Sequence, residues 1–284
     1  MAAFTLCWAV VETIGPAAGV SAYQVVWTRY GVHLAFMLLV FGPRYGKDLV
    51  RTSHPGRQVV ASLLMLGMPL CFIWGAQRMP VQDETAALWL APVIVVGISG
   101  AIGWSYGGLR TIVATAIGFA GAMLICAPDS GLFRRAAILG IGAALCLSLY
   151  MVVMRTMAHE RIITKLLHTA LWVWLVLTLG VPSFWTTPTV HGAIAMAAIG
   201  LLGWLGLLAL DVAIAATPVG ALAPILYTQL VWAVVLARLT GQVTLTAKEE
   251  GGIALVLIAG GLALFRRSAQ AAPDREVEAS VGVA

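Results

Sequence analysis

The chain has 284 residues, 61% of them hydrophobic and 10% charged, with a mean hydropathy of +0.95 and a formal charge of +5 at pH 7. That composition excludes an ordinary water-soluble globular protein, in which about 25% of residues are charged. The basic residues are dispersed along the chain, so the positive balance does not make a nucleic-acid groove either.

A bilayer core of about 30 Å takes about 20 apolar residues per helix. Runs of that kind fit ten times along the chain, at 3–20, 22–42, 58–77, 84–103, 110–127, 136–155, 165–184, 192–214, 218–238 and 249–266, here called spans 1 to 10. Span 1 opens Met-Ala-Ala-Phe without a preceding basic stretch, so it reads as a retained helix and not a cleaved signal. Gly42-Pro43 and Pro55-Gly56 flank a polar loop after span 2, and Pro80, Pro128, Pro188 and Pro218 mark later breaks. The segments lack the period-two alternation of a membrane barrel, which leaves helices. The four cysteines, Cys7, Cys71, Cys126 and Cys146, all fall within spans, show no CxxC spacing and read as packing residues. Residues 268–284 contain Ala, Pro and acids without helical periodicity and read as a disordered tail.

With the N-terminus in the cytoplasm, eleven basic residues flank the inner side: Arg44, Lys47, Arg51, Arg57, Arg110, Arg155, Arg161, Lys165, Arg266, Arg267 and Arg275. Five flank the outer side: Arg78, Arg134, Arg135, Arg238 and Lys248. The bias predicts a multi-pass protein of the cell inner or plasma membrane with both termini cytoplasmic.

The spans divide five and five near Gly131. Placing Pro80-Val81 over Pro218-Val219 brings Leu88 onto Leu226, Val93 onto Val231, Val96 onto Val234, Gly103 onto Gly241 and Trp89 onto Tyr227. An odd number of spans per repeat forces the second to enter the membrane from the opposite side. Inverted repeats of this kind recur in secondary transporters, with the substrate site near the midplane between halves. The expected organisation is a first five-helix repeat at 1–131, an inverted second at 132–267 and a cytoplasmic tail at 268–284.

Three strings add a resemblance. Tyr23-Gln24-Val25-Val26-Trp27-Thr28-Arg29-Tyr30, Asp83-Glu84-Thr85-Ala86 running to Leu90-Ala91-Pro92, and Ala223-Pro224-Ile225-Leu226-Tyr227-Thr228-Gln229-Leu230-Val231-Trp232-Ala233 resemble helices 2, 4 and 9 of the EamA-type drug/metabolite transporter superfamily. The resemblance extends to about Arg267. It implies a ten-helix inverted-repeat carrier of small metabolites, with a central cavity lined mainly by helices 1, 3, 4, 6, 8 and 9. Many members carry Gly-Glu at the ends of helices 4 and 9, whereas this chain has Gly103-Trp104 and Gly241-Gln242.

Ionisable groups inside spans are the sharpest candidates, because a charge in hydrocarbon needs a partner or water. Glu12, before Gly15-Pro16 on span 1, reads as a counter-charge for a cation or as a proton carrier, or else as a structural partner of Arg29. Arg29 and His33 share one face of span 2 and read mainly as structural, as does His168. Asp211 near the inner end of span 8 reads either as a substrate or proton-coupling group or as an acid facing cytoplasmic water. Asp83 and Glu84 read as acids favouring a helix N-terminus, with an outer-gate role as the alternative. Trp185 and Trp104 near span ends fit the interfacial belt. Trp8, Trp74, Trp89, Tyr150, Trp204 and Tyr227, with Gln229 on the ninth-helix string, are the expected substrate-binding set beside Glu12. Their aromatic walls suit a cation or a flat ring.

The expectation is a secondary transporter working by alternating access on a small organic metabolite, with a cationic or zwitterionic amine or amino-acid-like compound as the substrate class. No cofactor or metal is expected, and the partners are the small-molecule substrate and the lipid bilayer, not nucleic acid, for a monomer or homodimer. The alternatives are a membrane-embedded enzyme, for which the chain lacks HExxH and GxSxG patterns, and a channel-like facilitator, for which it lacks a repeated polar filter.

Overall fold

The computed structural model describes residues 19–104, 108–128, 137–239 and 246–263, which are helical apart from short connections and contain no strand. Span 1, with Trp8 and Glu12, lies outside the described residues. The helices are α1 (Ala22–Tyr45), α2 (Pro55–Ala76), α3 (Val81–Leu88), α4 (Ala91–Ala101), α5 (Leu109–Cys126), α6 (Ala137–Thr156), α7 (Ile162–Thr178), the single turn α8 (Val181–Phe184), α9 (Val190–Ala216), α10 (Val219–Leu226), α11 (Thr228–Leu239) and α12 (247–263). Seven helical stretches among the described residues are long and apolar enough to cross a membrane, and Ile162–Thr178 is a shorter apolar helix. This is an all-helical, multi-pass membrane protein.

Local chemistry sets the helix ends. Ser21 caps α1 by accepting the N–H of Gln24 at 3.2 Å, and Thr189 caps α9 by accepting that of Gly192 at 3.1 Å. Pro55 sits at the first turn of α2, where its missing N–H costs nothing. Gly46 ends α1 at φ 49, and its N–H returns to the carbonyl of Gly42. With 27 residues, α9 is about 40 Å long, more than enough to span the hydrocarbon.

The fourth and ninth spans are each two helices. Pro92 at the start of α4 lacks the N–H that would close on the carbonyl of Leu88, and the helix breaks at Trp89-Leu90. In the ninth span Pro224 disturbs α10, and the chain turns at Tyr227 before α11. The two breaks fall on the residues that the internal alignment pairs, Trp89 and Tyr227. The half-helices α4 and α10 pack against each other.

Around this centre, α6 packs on α2, α3 and α4. On the flank, α1 packs on both α7 and α9, and α2 packs on α7. At one end of the bundle Gln24 holds Thr186 by three bonds, its Nε2 donating to the carbonyl at 2.8 Å and its Oε1 accepting the N–H at 2.9 Å and the hydroxyl at 3.2 Å. Beside them Trp27 stacks on Trp174 with centroids 5.9 Å apart and meets the half-exposed Trp185 edge-on at 6.0 Å. Arg29 is buried over the ring of Tyr30 at 5.4 Å, and its guanidinium lies where a side chain on Gly203 would have to sit.

Close approach at the centre also depends on glycine. A side chain on Gly118 of α5 would collide with the ring of Tyr227. Gly118→Val should therefore cost about 1–3 kcal/mol of stability through overpacking. Gly97→Val, at a site with open space around it, should be close to neutral. Thermal melting of the two variants in detergent checks this difference.

Candidate functional site

The central break builds the first part of the site. The hydroxyl of Tyr227 donates to the carbonyl of Trp89 at 3.2 Å, and the two rings lie 5.8 Å apart. Both side chains are buried, Tyr227 completely. From α6, Ser148 donates to the carbonyl of Ala91 at 3.0 Å, while also sharing the carbonyl of Ala144 one turn back at 2.7 Å. Hydroxyls from other helices thus serve the carbonyls where span 4 is interrupted, as interrupted membrane helices require. Gln229 is buried two residues past the second break.

A buried polar cluster forms the second part, between α6, α7 and α9. Tyr150 of α6 donates to Oδ1 of Asp211 on α9 at 3.0 Å, and both are fully buried. Lys165, at the start of α7, is also fully buried. Its Nζ and the second oxygen of Asp211 find no hydrogen-bond partner among the described residues. Arg155 is engaged elsewhere, donating to the carbonyls of Ile214 and Ala215 at 2.7 Å each. The reading of Asp211 as an acid facing water does not hold in this structure. Lys165, counted from the sequence as a flanking basic residue, turns inward instead.

Glu84 and Asp83 of α3 are buried too. Their carboxylates accept no hydrogen bond among the described residues, so neither caps the helix. The carboxylate of Glu84 lies where side chains on Gly75 of α2 and Gly140 of α6 would collide with it. Glycine on both neighbours makes the room.

The other sequence candidates scatter. Trp204 is buried on the α1 side, tilted against Phe36 at 4.5 Å, with its Nε1 3.1 Å from the sulfur of Met37. Trp74 is half exposed near the end of α2 and takes no part in the central contact. His33 is buried, with Nε2 unpartnered among the described residues, and His168 bonds the carbonyl of Val50 at 2.9 Å.

At the end of the bundle opposite Gln24, loop 50–54 is tied to the loop between α6 and α7. Oε1 of Glu160 accepts from Thr52 Oγ1 at 3.2 Å and from the Ser53 N–H at 2.8 Å, and it lies 3.2 Å from Nδ1 of His54. Ser53, His54 and Glu160, with Asp48, Arg51, His159 and Arg161, line a polar cavity of about 370 Å³. At the Gln24 end, Pro80, Gln82, Asp83, Ile125, Cys126, Ala127 and Glu249 line another of about 300 Å³.

Two relatives are named as transporters. The S-adenosylmethionine uptake transporter of Rickettsia bellii (strain RML369-C) is 24% identical over 216 residues, covering 74% of this chain and 72% of the relative. An uncharacterized transporter of Helicobacter pylori (strain ATCC 700392 / 26695) is 26% identical over 213 residues, covering 72% and 70%. A solved crystal structure superposes with a TM-score of 0.83 over 92% of this chain and 95% of its own, at 15% identity, and so shares the fold. No protein-family model matches the chain. Apolar helices and transporter-named relatives together support a multi-pass membrane transporter and point away from an enzyme.

The Glu160 contact has a defined pH dependence. Burial alone would raise its pKa, but the bonds from His54, Ser53 and Thr52 outweigh this and hold the carboxyl below its ordinary value of 4.5. A carboxyl depressed by folding stabilises the fold above its unfolded pKa, and that contribution is lost as pH falls through the folded value. Wild type should therefore melt higher than Glu160→Gln at pH 7, and the gap should close as the pH falls below about 4.5. Melting curves of both proteins between pH 7 and 3.5 test this.

Proposed function

We propose that the chain is a secondary transporter of the drug/metabolite transporter type, with five-helix halves at 1–131 and 132–267 in inverted orientation. The observation that carries this reading is the contact of two interrupted spans at Trp89 and Tyr227, residues that the internal alignment equates. Half-helices meeting at the midplane are the usual setting of a transporter's substrate site. Packing adds support. Exchanging the halves turns the span 2–span 8 contact into span 7–span 3, and both exist as α1 on α9 and α7 on α2. The tie between Glu160 and loop 52–54 joins the two halves at one end, and Gln24–Thr186 joins them at the other. Transport by alternating access would break and remake these ties in turn.

The substrate in this reading is a small organic metabolite with an amine. Trp89 and Tyr227 offer aromatic faces to a cation, worth about 0.5–2 kcal/mol per well-placed contact. Glu12 on span 1 supplies a counter-charge. S-adenosylmethionine, named for the R. bellii relative, is the first compound to test because it is a cationic, zwitterionic amine of this kind.

In proteoliposomes, uptake of labelled S-adenosylmethionine should saturate and accelerate when unlabelled compound is loaded on the opposite side. Flux that rises linearly without counterflow would show a channel-like facilitator. If this compound is inert, the same assay extends to other amines and amino acids, and counterflow with none of them would contradict the carrier reading. For a transported compound, Glu12→Gln should lower uptake with little loss of folded protein. Unchanged uptake across pH 5–8 would remove Glu12 from the mechanism.

A further inference from the structure

Two opposite charges are buried between α6, α7 and α9 without closing on each other. Lys165 and Asp211 are completely buried and within electrostatic reach of one another, yet no ion pair joins them among the described residues. The ammonium has no hydrogen-bond acceptor. Asp211 accepts Tyr150 on one oxygen and leaves the other unpartnered. Thr169, one turn along α7 from Lys165, brings a buried hydroxyl to Tyr150. Buried polar groups are nearly always hydrogen-bonded, and an uncompensated buried ion is strongly disfavoured. A purely structural pair would gain by closing to contact. An unsatisfied ammonium on α7 and an unsatisfied carboxylate oxygen on α9 describe the complement of a bipolar ligand.

We propose that this cluster binds the ammonium and carboxylate of an α-amino-acid-type zwitterion. Lys165 takes the carboxylate, and Asp211, held by the Tyr150 hydroxyl, takes the ammonium. A plain amine would leave Lys165 buried without an anion, and a plain carboxylate would leave Asp211 without a cation. The assignment rests on the transporter reading and narrows its substrate class. The cluster is closed in this structure. Glu160, five residues before Lys165, ties the adjoining loop to residues 52–54.

The test compares amino acids with the amines that lack only the carboxylate: arginine with agmatine, tryptophan with tryptamine, and methionine with 3-(methylthio)propylamine. Binding to the purified full chain in detergent is read by thermal shift and titration calorimetry. At least one amino acid should bind about tenfold or more tightly than its amine, the size expected for a charge-assisted hydrogen bond. Lys165→Met should abolish the discrimination, so that the amino acid and its amine bind within about twofold of each other. Asp211→Asn should weaken both. A structural role for Lys165 would move amino acid and amine alike when it is replaced. Lys165→Arg keeps the charge and should keep the discrimination, and the wild-type comparison stands even if Lys165→Met does not fold. The assignment is overturned if amines bind as well as amino acids, if no amino acid binds, or if Lys165→Met weakens both ligands equally. Saturable counterflow of an amine without a carboxylate, together with any of these, would overturn the assignment and leave the transporter reading standing.

Discussion

The hydroxyl of Tyr227 reaches across the molecule to the carbonyl of Trp89, and the middle of the bundle is organised around that bond. In hydrocarbon a backbone carbonyl released by a helix break has no water to turn to. At the Trp89-Leu90 interruption span 9 brings a phenol to the Trp89 carbonyl, and next to it α6 brings the hydroxyl of Ser148 to Ala91. Gly118 on α5 leaves room for the Tyr227 ring to take this position. Three helices must therefore be in register with α4 before its break is tolerable. A span held by such bonds can also be reset by exchanging them, which an uninterrupted helix cannot do.

Hydropathy made the seven span-length helices among the described residues legible, because a bilayer demands length and apolarity, and those are properties of residue type. The breaks were partly legible. Pro92 and Pro224 are visible in the sequence, and the internal alignment had already set Trp89 against Tyr227. Side-chain direction was not legible. Lys165 sits at the start of an apolar run, where a lysine that snorkels to water and one that folds inward look the same. Its neighbours decide, and they come from α6 and α9, far away in sequence. Asp211 was ambiguous for the same reason. Asp83 and Glu84 occupy a helix N-terminus, where acids commonly cap. Glycines on two other helices, Gly75 and Gly140, instead open a buried place for Glu84. Trp74 shows the converse: an aromatic on an expected cavity helix whose side chain is half exposed.

The two ends of the bundle are fastened differently. At the Gln24 end the bonds run between an amide side chain and backbone, and tryptophans cover them. At the other end a single carboxylate, Glu160, gathers a hydroxyl, a backbone N–H and an imidazole beside an open polar cavity. Bonds to one shared carboxylate are lost together when it moves, which suits a closure that must open cooperatively. The buried charges of Lys165 and Asp211 lie behind this second closure, and the aromatic pair lies at the centre.

In the transporter proposed above, the two halves would rock about the Trp89–Tyr227 contact, so that one end opens as the other closes. Ser53 and His159 are exposed on opposing loops at one end, and Gln77 and Thr187 are exposed at the other. Spin labels at each pair, in lipid bilayers, give distance distributions by electron–electron double resonance across a substrate titration. The account predicts opposite shifts, with the 53–159 distance lengthening in the population whose 77–187 distance shortens. Distances that stay fixed, or that lengthen together at both ends, would contradict it.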